Sequence, residues 1–326
     1  MDYDVVIVGA GPAGLNCAKH LAGKQVLLIE RNAVIGPKVC AGGITPEDLE
    51  YLQLPKSTLE KSFSHILIHT SVSKPIKDDY PVSTVSREEL GQWMLRGLGK
   101  NVTVRMNAKV TSIGKDFVIV NGEKIRFRYL VGADGSSSLV RRHLKIPSRD
   151  VGIAFQYIVR GEWKDLEIFF DAKSFGSWYA WIFPYKGCAS IGCGCDPKIF
   201  PPSKLRKSFH KWMDSRGIDY SKGRFESHPI NFDFRGWKFG NTFLAGDAAG
   251  FASGITGEGI YQALISGEEV AKTILNPKHK PARLEKLIAV KKEEKTLVNK
   301  LNAILKKHGP VPEIEERLMQ FFSEQD

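Results

Sequence analysis

Six residues near the N-terminus, Gly9–Gly14, have the types and spacing that bind a phosphate group. Gly9 permits a tight turn, Gly11 leaves room for a phosphate at the backbone, and Gly14 allows the next helix to pack closely. The free N–H groups and the positive dipole end of that helix would receive the phosphates. Glu30 stands where a carboxylate can accept hydrogen bonds from ribose hydroxyls. The pattern therefore predicts a dinucleotide site.

The elements that must position these residues follow the order strand, turn, helix, strand and acid. Residues 3–8 form a short apolar run of β-branched type, residues 15–21 have a helical period, and residues 25–29 read as a buried strand. This order is typical of a βαβ unit that binds a dinucleotide, and it does not separate FAD from NAD. A glycine turn with a purely structural role is the alternative.

Three later segments favour FAD. Residues 129–133 form an apolar run that ends in Asp134-Gly135, and residues 242–245 form another that ends in Gly246-Asp247. A glycine-rich stretch at 254–260 then precedes a predicted helix over 261–275.

In this combination and order, the motifs resemble the flavoprotein superfamily that includes p-hydroxybenzoate hydroxylase. The resemblance extends from residue 1 to the helix that ends near residue 275. It implies noncovalently bound FAD, with Asp247 accepting a hydrogen bond from a ribityl hydroxyl and the helix start near Gly259 facing the reduced flavin. It also implies that Arg87 reaches the FAD and that Val110 contacts the adenine side through its backbone. The expected cofactor-binding residues are Gly9, Gly11, Ala13, Gly14, Glu30, Arg31, Cys40, Ala41, Gly43, Arg87, Val110, Asp134, Gly135, Gly246, Asp247, Gly257, Gly259 and Ile260.

Two more segments resemble the geranylgeranyl reductase family, which saturates isoprenoid double bonds. Residues 38–43 read KVCAGG and match the family's loop over the flavin, and residues 178–184 contain its YxWxFP pattern. In that family the second pattern lines the lipid site, which implies substrate-binding roles for Tyr179, Trp181, Phe183 and Pro184. The three aromatic residues alternate and so share one strand face, although a plain sheet core also predicts this alternation.

The resemblance implies that reduced flavin gives hydride to one alkene carbon while an acid protonates the other. Cys40 is the one candidate catalytic residue: its thiol donates the proton, or the residue only contacts the cofactor, which is the preferred interpretation. The expected substrate is a prenyl lipid or prenyl diphosphate, with electrons from NAD(P)H or a ferredoxin-type protein. The alternatives are an aromatic monooxygenase that uses NAD(P)H and oxygen, and a non-catalytic flavin-binding redox protein.

These segments predict an α/β fold in which an FAD-binding Rossmann-like domain carries an inserted, mainly antiparallel β-sheet substrate domain and a short helical C-terminus. The predicted FAD domain is discontinuous and comprises residues 1–60, 84–146 and 236–276. The substrate domain comprises residues 61–83 and 147–235, and the helical tail residues 277–326. Residues 204–215 are a further helix candidate.

The composition limits the partners. The formal net charge of +11 favours phosphates, an anionic membrane surface or an acidic electron-carrier protein. No nucleic-acid motif is present, so we expect no nucleic-acid partner. Five cysteines, an odd count, argue against a disulfide framework. Three of them, Cys188, Cys193 and Cys195, are expected to be small buried thiols rather than metal ligands, and no metal is expected.

The chain is expected to be cytoplasmic. No apolar run reaches the roughly 20 residues that span a bilayer, and the acidic N-terminus differs from a signal peptide. Residues 278–307 carry ten Lys or Arg against three Glu, with Leu297, Leu301, Ile304 and Leu305 at helical spacing. This basic amphipathic helix either makes peripheral contact with an anionic membrane or, as we prefer, packs on the FAD domain.

Overall fold

A computed structural model describes residues 2–71 and 74–323. Its strands are β1 (Tyr3–Val8), β2 (Val26–Ile29), β3 (Gly43–Ile44), β4 (Leu59–Phe63), β5 (Ile66–His69), β6 (Ile76–Asp78), β7 (Val82–Val85), β8 (Val102–Arg105), β9 (Val110–Ile113), β10 (Phe117–Val120), β11 (Glu123–Gly132), β12 (Val151–Arg160), β13 (Glu167–Phe170), β14 (Tyr179–Tyr185), β15 (Cys188–Cys195), β16 (Arg224–Asn231), β17 (Lys238–Phe239) and β18 (Thr242–Leu244). Its helices are α1 (Pro12–Lys19), α2 (Pro46–Leu52), α3 (Arg87–Arg96), α4 (Leu139–His143), α5 (Ala172–Phe175), α6 (Pro202–Asp214), α7 (Ile260–Leu275), α8 (Ala282–His308) and α9 (Pro312–Ser323).

The first sheet is built around β1, which runs parallel to both of its neighbours, β2 and β11. Its path is β17-β18-β11-β1-β2-β8, and β10 and β9 extend from β11. Residues Val5, Val6 and Ile7 are fully buried, as expected for a parallel strand covered on both faces. The segment from β1 through α1 to β2 is the predicted βαβ unit, so the Rossmann-like part of the fold class is confirmed.

Glycines in helices α1 and α7 allow the backbone of each to approach another backbone segment directly. A β-carbon on Gly14 would lie 2.0 Å from the carbonyl oxygen of Gly9, and one on Gly267 would lie 2.3 Å from that of Ala13. No side chain fits at such distances, so both positions require glycine. The contact fixes α7 against α1, and with it the position of the N-terminus of α7.

The second sheet has seven strands in the order β16-β12-β15-β14-β13-β5-β6. Every neighbouring pair is antiparallel except β13 with β5, which confirms the mainly antiparallel inserted sheet. Within β15, Cys193 and Cys195 are completely buried and Cys188 is half-buried, so the three thiols alternate as a strand requires. A small third sheet, β3-β7-β4, adjoins the second. The division of these sheets into an FAD domain and a substrate domain remains a prediction.

The C-terminal helix α8 contacts both large sheets. Its 27 residues extend about 40 Å, long enough to reach from one sheet to the other. Leu284 packs into the core of the first sheet, whereas Val298 and Leu301 pack into a cluster with residues of β5 and β13. The expected packing on the FAD domain is therefore wrong for Leu297, Leu301, Ile304 and Leu305, which lie in or against the core of the second sheet. Over residues 2–71 and 74–323, no helix is both long and apolar enough to cross a membrane.

We predict that Gly267→Ala lowers the free energy of unfolding by about 1–3 kcal/mol, because the new methyl group forces α7 away from α1. Gly97→Ala is the matched control. A β-carbon there has Met94 O as its nearest contact, at 3.4 Å, and its effect should stay within about 0.5 kcal/mol. Urea denaturation measures both. Equal stability of the two variants would contradict the close α1–α7 packing.

Candidate active site

A cleft of about 400 Å³ lies between the first and second sheets. Elements distant in sequence meet there: the loop at 38–43, the start of α3, strand β14, and the segment that leads into α7. The predicted site residues that line it are Cys40, Ala41, Gly43, Arg87, Tyr179, Trp181, Phe183, Asp247, Gly257, Gly259 and Ile260. The fold thus brings most of the expected flavin-ring and substrate residues to one cavity.

The glycine turn at residues 9–14 adjoins this cleft, because Pro12 of the turn belongs to the lining of the cleft. Gly9 has φ +98°, a conformation that favours glycine. One carboxylate oxygen of Glu30 accepts a hydrogen bond from Ala10 N at 3.0 Å and the other from Asn32 N at 3.0 Å. Each of these oxygens keeps a lone pair for a further donor. No atom of the described chain lies within 4 Å of a β-carbon built on Gly11, so the space above the turn is open.

Two buried nitrogen atoms along the cleft need a partner. Arg87 is the first residue of α3, and its Nε is buried without a hydrogen-bond acceptor among the described residues. On β16, the Nε2 of His228 is likewise buried without a hydrogen-bond partner among the described residues. Burial and the nearby positive charge of Lys38 lower the pKa of His228 to about 4, so the ring is neutral at pH 7. Unsatisfied polar groups of this kind, beside an open glycine turn, fit a polar aromatic ligand such as a flavin.

Asp247 is the anionic centre on the first-sheet side of the cleft. Its carboxylate accepts hydrogen bonds from Lys38 Nζ at 2.9 Å and Ser136 Oγ at 3.1 Å. Burial opposes ionisation of Asp247, but the charge and the hydrogen bond of Lys38 outweigh it and hold the pKa below its usual value. Gly246 before it has φ +57°. Asp247 is therefore charged and held in place before any ligand binds.

The loop at Cys40 is tied to the second sheet by its backbone. Gln156 donates a hydrogen bond to the carbonyl oxygen of Cys40 at 3.2 Å, and the hydroxyl of Tyr185 donates to that of Ala41 at 2.8 Å. The Cys40 sulfur accepts a bond from Gly42 N at 3.4 Å. A β-carbon on Gly43 would lie 2.7 Å from the ring of Phe183, so the loop rests directly on β14.

Three aromatic rings of β14 form a wall on the second-sheet side, which we call the aromatic wall: Tyr179, Trp181 and Phe183. The indole N–H of Trp181 donates to Ser190 Oγ at 3.0 Å, and Ser190 in turn donates to Gln156. The hydroxyl of Tyr179 donates to the carbonyl oxygen of Thr256. Both polar tips are thereby satisfied by protein groups, and all three residues line the cleft.

Some predicted site residues lie elsewhere. The carboxylate of Asp134 accepts bonds from Ser138 Oγ and Leu139 N, at the N-terminus of α4. Val110 is buried on β9. Pro184 alternates out of the aromatic wall, and its carbonyl oxygen accepts a bond from Thr84. The remaining predicted residues, Gly9, Gly11, Ala13, Gly14, Glu30, Arg31, Gly135 and Gly246, also lie outside the lining of the cleft, most of them at the glycine turn.

Other residues line the cleft that the sequence reasoning missed, namely Lys38, Asp48, Tyr80, Gln156, His228 and Glu258. Two of these residues could have been found from the sequence, because they stand within the predicted motifs. Lys38 opens the KVCAGG segment, and Glu258 stands between the predicted Gly257 and Gly259. The other four lie outside every motif, and only the packing of the two sheets brings them to the cleft.

Comparison with known proteins agrees with this geometry. The model of a family described as lycopene cyclase protein matches residues 4–172, just over half of the chain. A geranylgeranyl diphosphate reductase of Rhodobacter capsulatus is 28% identical over 303 residues, which cover 84% of this chain and 75% of the relative. A digeranylgeranylglycerophospholipid reductase of Methanopyrus kandleri is 28% identical over 299 residues, 82% of this chain and 75% of that protein. The chain belongs to the family of the lycopene cyclases and geranylgeranyl reductases.

A solved structure of a geranylgeranyl bacteriochlorophyll reductase-like protein from Thermoplasma acidophilum shares the fold. It superposes with a TM-score of 0.74 at 19% identity and covers 99% of this chain and 83% of that one. The family resemblance drawn from the sequence is thus confirmed, and the protein is an oxidoreductase, since these relatives are named reductases. A non-catalytic flavin-binding protein is thereby set aside.

We predict opposite effects for alanine at two glycines of the turn. Gly11→Ala should fold normally, because its methyl group meets no protein atom of the described chain, yet bind flavin at least about tenfold more weakly, a loss of about 1.4 kcal/mol. Gly14→Ala should lower the melting temperature of the flavin-free protein, because its methyl group would lie 2.0 Å from Gly9 O. Thermal melts and flavin titration separate the two, and wild-type flavin affinity in Gly11→Ala would count against the turn as the cofactor site.

Proposed function

We propose that the protein is an FAD-dependent reductase that saturates carbon–carbon double bonds of an isoprenoid chain. One observation carries the proposal: the aromatic wall faces the Asp247 and α7 segments across a single cleft. A flat ring system on the α7 side and an apolar chain on the wall side would lie against each other there. The substrates named for the relatives, geranylgeranyl diphosphate and a digeranylgeranyl phospholipid, support a prenyl chain as the ligand.

FAD is the proposed form of the flavin. The glycine turn with Glu30 would hold the adenosine and pyrophosphate, while Arg87, Asp247 and the N-terminus of α7 would hold the ribityl chain and the ring. Pro12 belongs to the glycine turn and also lines the cleft, which supports a dinucleotide over a mononucleotide. When bound, the flavin supplies the hydride that an isolated alkene needs.

The residues of the chain orient the substrate and exclude water. Tyr179, Trp181 and Phe183 present ring faces to the prenyl chain, and Ile66 and Ile168 extend the apolar surface beside them. Holding the alkene at a fixed distance from the cofactor converts an encounter into an intramolecular step. Cys40 contacts the cofactor in this proposal, since its loop is fastened through backbone carbonyl groups and its sulfur already accepts the Gly42 N–H.

The direct test is anaerobic turnover of geranylgeranyl diphosphate and of a geranylgeranylated phospholipid with dithionite-reduced protein. We expect products heavier by two hydrogen atoms per reduced bond, detected by mass spectrometry, and FAD released on denaturation. Rapid NAD(P)H oxidation with oxygen uptake and no lipid product would instead indicate the monooxygenase. Parallel assays with NADPH and with a reduced ferredoxin identify the electron donor.

Trp181→Ala should lower turnover per bound flavin, because the alkene loses its alignment. The variant should stay folded, because the cleft already exists beside the ring. Trp212→Ala is the control. That ring is buried in the core of the second sheet outside the cleft, so its loss should destabilise the protein by about 3–5 kcal/mol and leave turnover per bound flavin near wild type. A thermal melt beside the lipid assay decides. If Trp181→Ala lost stability but kept its turnover per bound flavin, the result would contradict the aromatic wall as a lipid surface.

A further inference from the structure

Glu258 lies between the two sides of the cleft. A β-carbon on Gly257, before it, would lie 4.0 Å from the hydroxyl of Tyr179 in the aromatic wall. A β-carbon on Gly259, after it, would lie 3.3 Å from Asp247 Oδ1 on the proposed flavin side. Glu258 itself lines the cleft. It is the carboxyl group on the segment that joins the proposed substrate surface to the proposed flavin surface.

The backbone at Glu258 is held on both sides. Its N–H donates to Thr256 Oγ1 at 3.2 Å, and its carbonyl oxygen accepts from Ser253 N at 2.7 Å. Ser253 is held in turn by a buried carboxylate of α8, Glu294, at 2.5 Å. The carboxyl group therefore projects from a fixed point, although its side chain is open to the cleft.

Negative groups surround Glu258. Burial of the carboxyl group within the cleft and the charges of Asp48, Glu294 and Glu47 raise its pKa to about 7, although the side chain as a whole is exposed. The partial positive charge at the N-terminus of α7 acts the other way. Tyr80 and Tyr179 also face this carboxyl group, and among the described residues no Lys, Arg or His forms an ion pair with it. Glu258 is thus about half protonated at pH 7 and mostly protonated below it.

Asp48 supplies an independent sign that the cleft takes a ligand here. Its Oδ2 closes the capping box of α2 with Thr45, at 3.1 Å from Thr45 N. Its Oδ1 is buried without a hydrogen-bond partner among the described residues, on a side chain that is 3% exposed and lines the cleft. Burial raises the pKa of Asp48 to about 6, so it is mostly ionised at pH 7 and helps to keep Glu258 protonated.

Two tyrosines of the cleft already donate their protons. The hydroxyl of Tyr179 donates to Thr256, and that of Tyr80 donates to Glu47 Oε2 at 2.9 Å. Cys40 keeps its thiol proton, and its sulfur accepts a hydrogen bond within its own loop. Among these groups, Glu258 carries a proton that it can donate and also lies between the two surfaces.

We infer that Glu258 is the proton donor of the alkene reduction, an inference that rests on the proposed function. A bound reduced flavin would supply the hydride and the two electrons of the reduction to one alkene carbon. The π electron pair would then form a bond from the other carbon to the proton of Glu258, so that the alkene gains two hydrogen atoms. Glu258 would be left as a carboxylate that takes a proton from solvent through the cleft.

The test compares Glu258→Gln, Glu258→Asp, Cys40→Ser and the control Glu50→Gln, in which an exposed carboxyl on α2 is changed. Single-turnover reduction of geranylgeranyl diphosphate by dithionite-reduced protein is followed for each. We expect a fall of about 100-fold or more for Glu258→Gln, the usual contribution of a general acid, and a partial recovery for Glu258→Asp. Glu50→Gln should match wild type, and the rate of every variant is taken per bound flavin, because Cys40 is proposed to contact the cofactor. A wild-type rate in Glu258→Gln, or a loss confined to Cys40→Ser, overturns the inference.

The pH profile tests the same role. A proton donor must be protonated, so the wild-type rate should be high below pH 7 and fall as the pH rises through the pKa of Glu258, about 7. Glu258→Gln should lose this alkaline limb. An unchanged limb in that variant assigns it to another acid and rejects Glu258.

A measurement without turnover keeps the inference separate from the proposed function. Difference infrared spectra of the purified protein between pH 5 and pH 9 should show a carboxylic acid band that titrates near neutrality and disappears in Glu258→Gln. If wild type saturates no prenyl substrate, the proposed function fails and the donor role fails with it, whereas the band still reports the protonation of Glu258. If lipid is reduced but the band is absent, the inference alone fails.

Discussion

The close approach of backbone to backbone at three glycines is the constraint on which the rest of the molecule depends. Gly9 lies against the end of β11, Gly14 against Gly9, and Gly267 against α1. Each contact leaves no room for a side chain, so β1, α1, β11 and α7 meet at fixed distances. Pro12 at the N-terminus of α1 and Ile260 at that of α7 both line one cleft. The contacts therefore fix the separation of the proposed phosphate and ring sites.

The cleft that results carries charges of both signs. Lys38 pairs with Asp247, and Arg87, which also lines the cleft, acts on the carboxyl group of Asp48. Asp48 and Glu258 add carboxyl groups to the same lining. Opposite charges stabilise a bound anion, while neighbouring carboxyl groups raise each other's pKa, so one cavity can both bind a flavin and hold a proton.

The C-terminal helix α8 takes part in this arrangement although it lies outside the cleft lining. Lys291 donates to the carbonyl oxygen of Ala252 at 2.5 Å and pairs with Glu294 at 2.7 Å, and both side chains are buried. Glu294 in turn accepts a hydrogen bond from the hydroxyl of Ser253. These bonds hold the segment that leads to Glu258. Part of the basic character of the helix thus serves internal contacts.

The sequence by itself determined the local features. The order of β1, α1, β2 and Glu30, and the alternation of Tyr179, Trp181 and Phe183, follow from short-range periodicity and turn chemistry, which neighbouring residues decide. Only the tertiary structure decided that Lys38 pairs with Asp247, that Asp48 and Glu258 share a cleft, and that the apolar residues of α8 pack mainly on the second sheet. The first of these contacts alone joins residues 209 positions apart. Spacing along the chain carries no record of them, because they arise from the way two sheets and a helix pack in space.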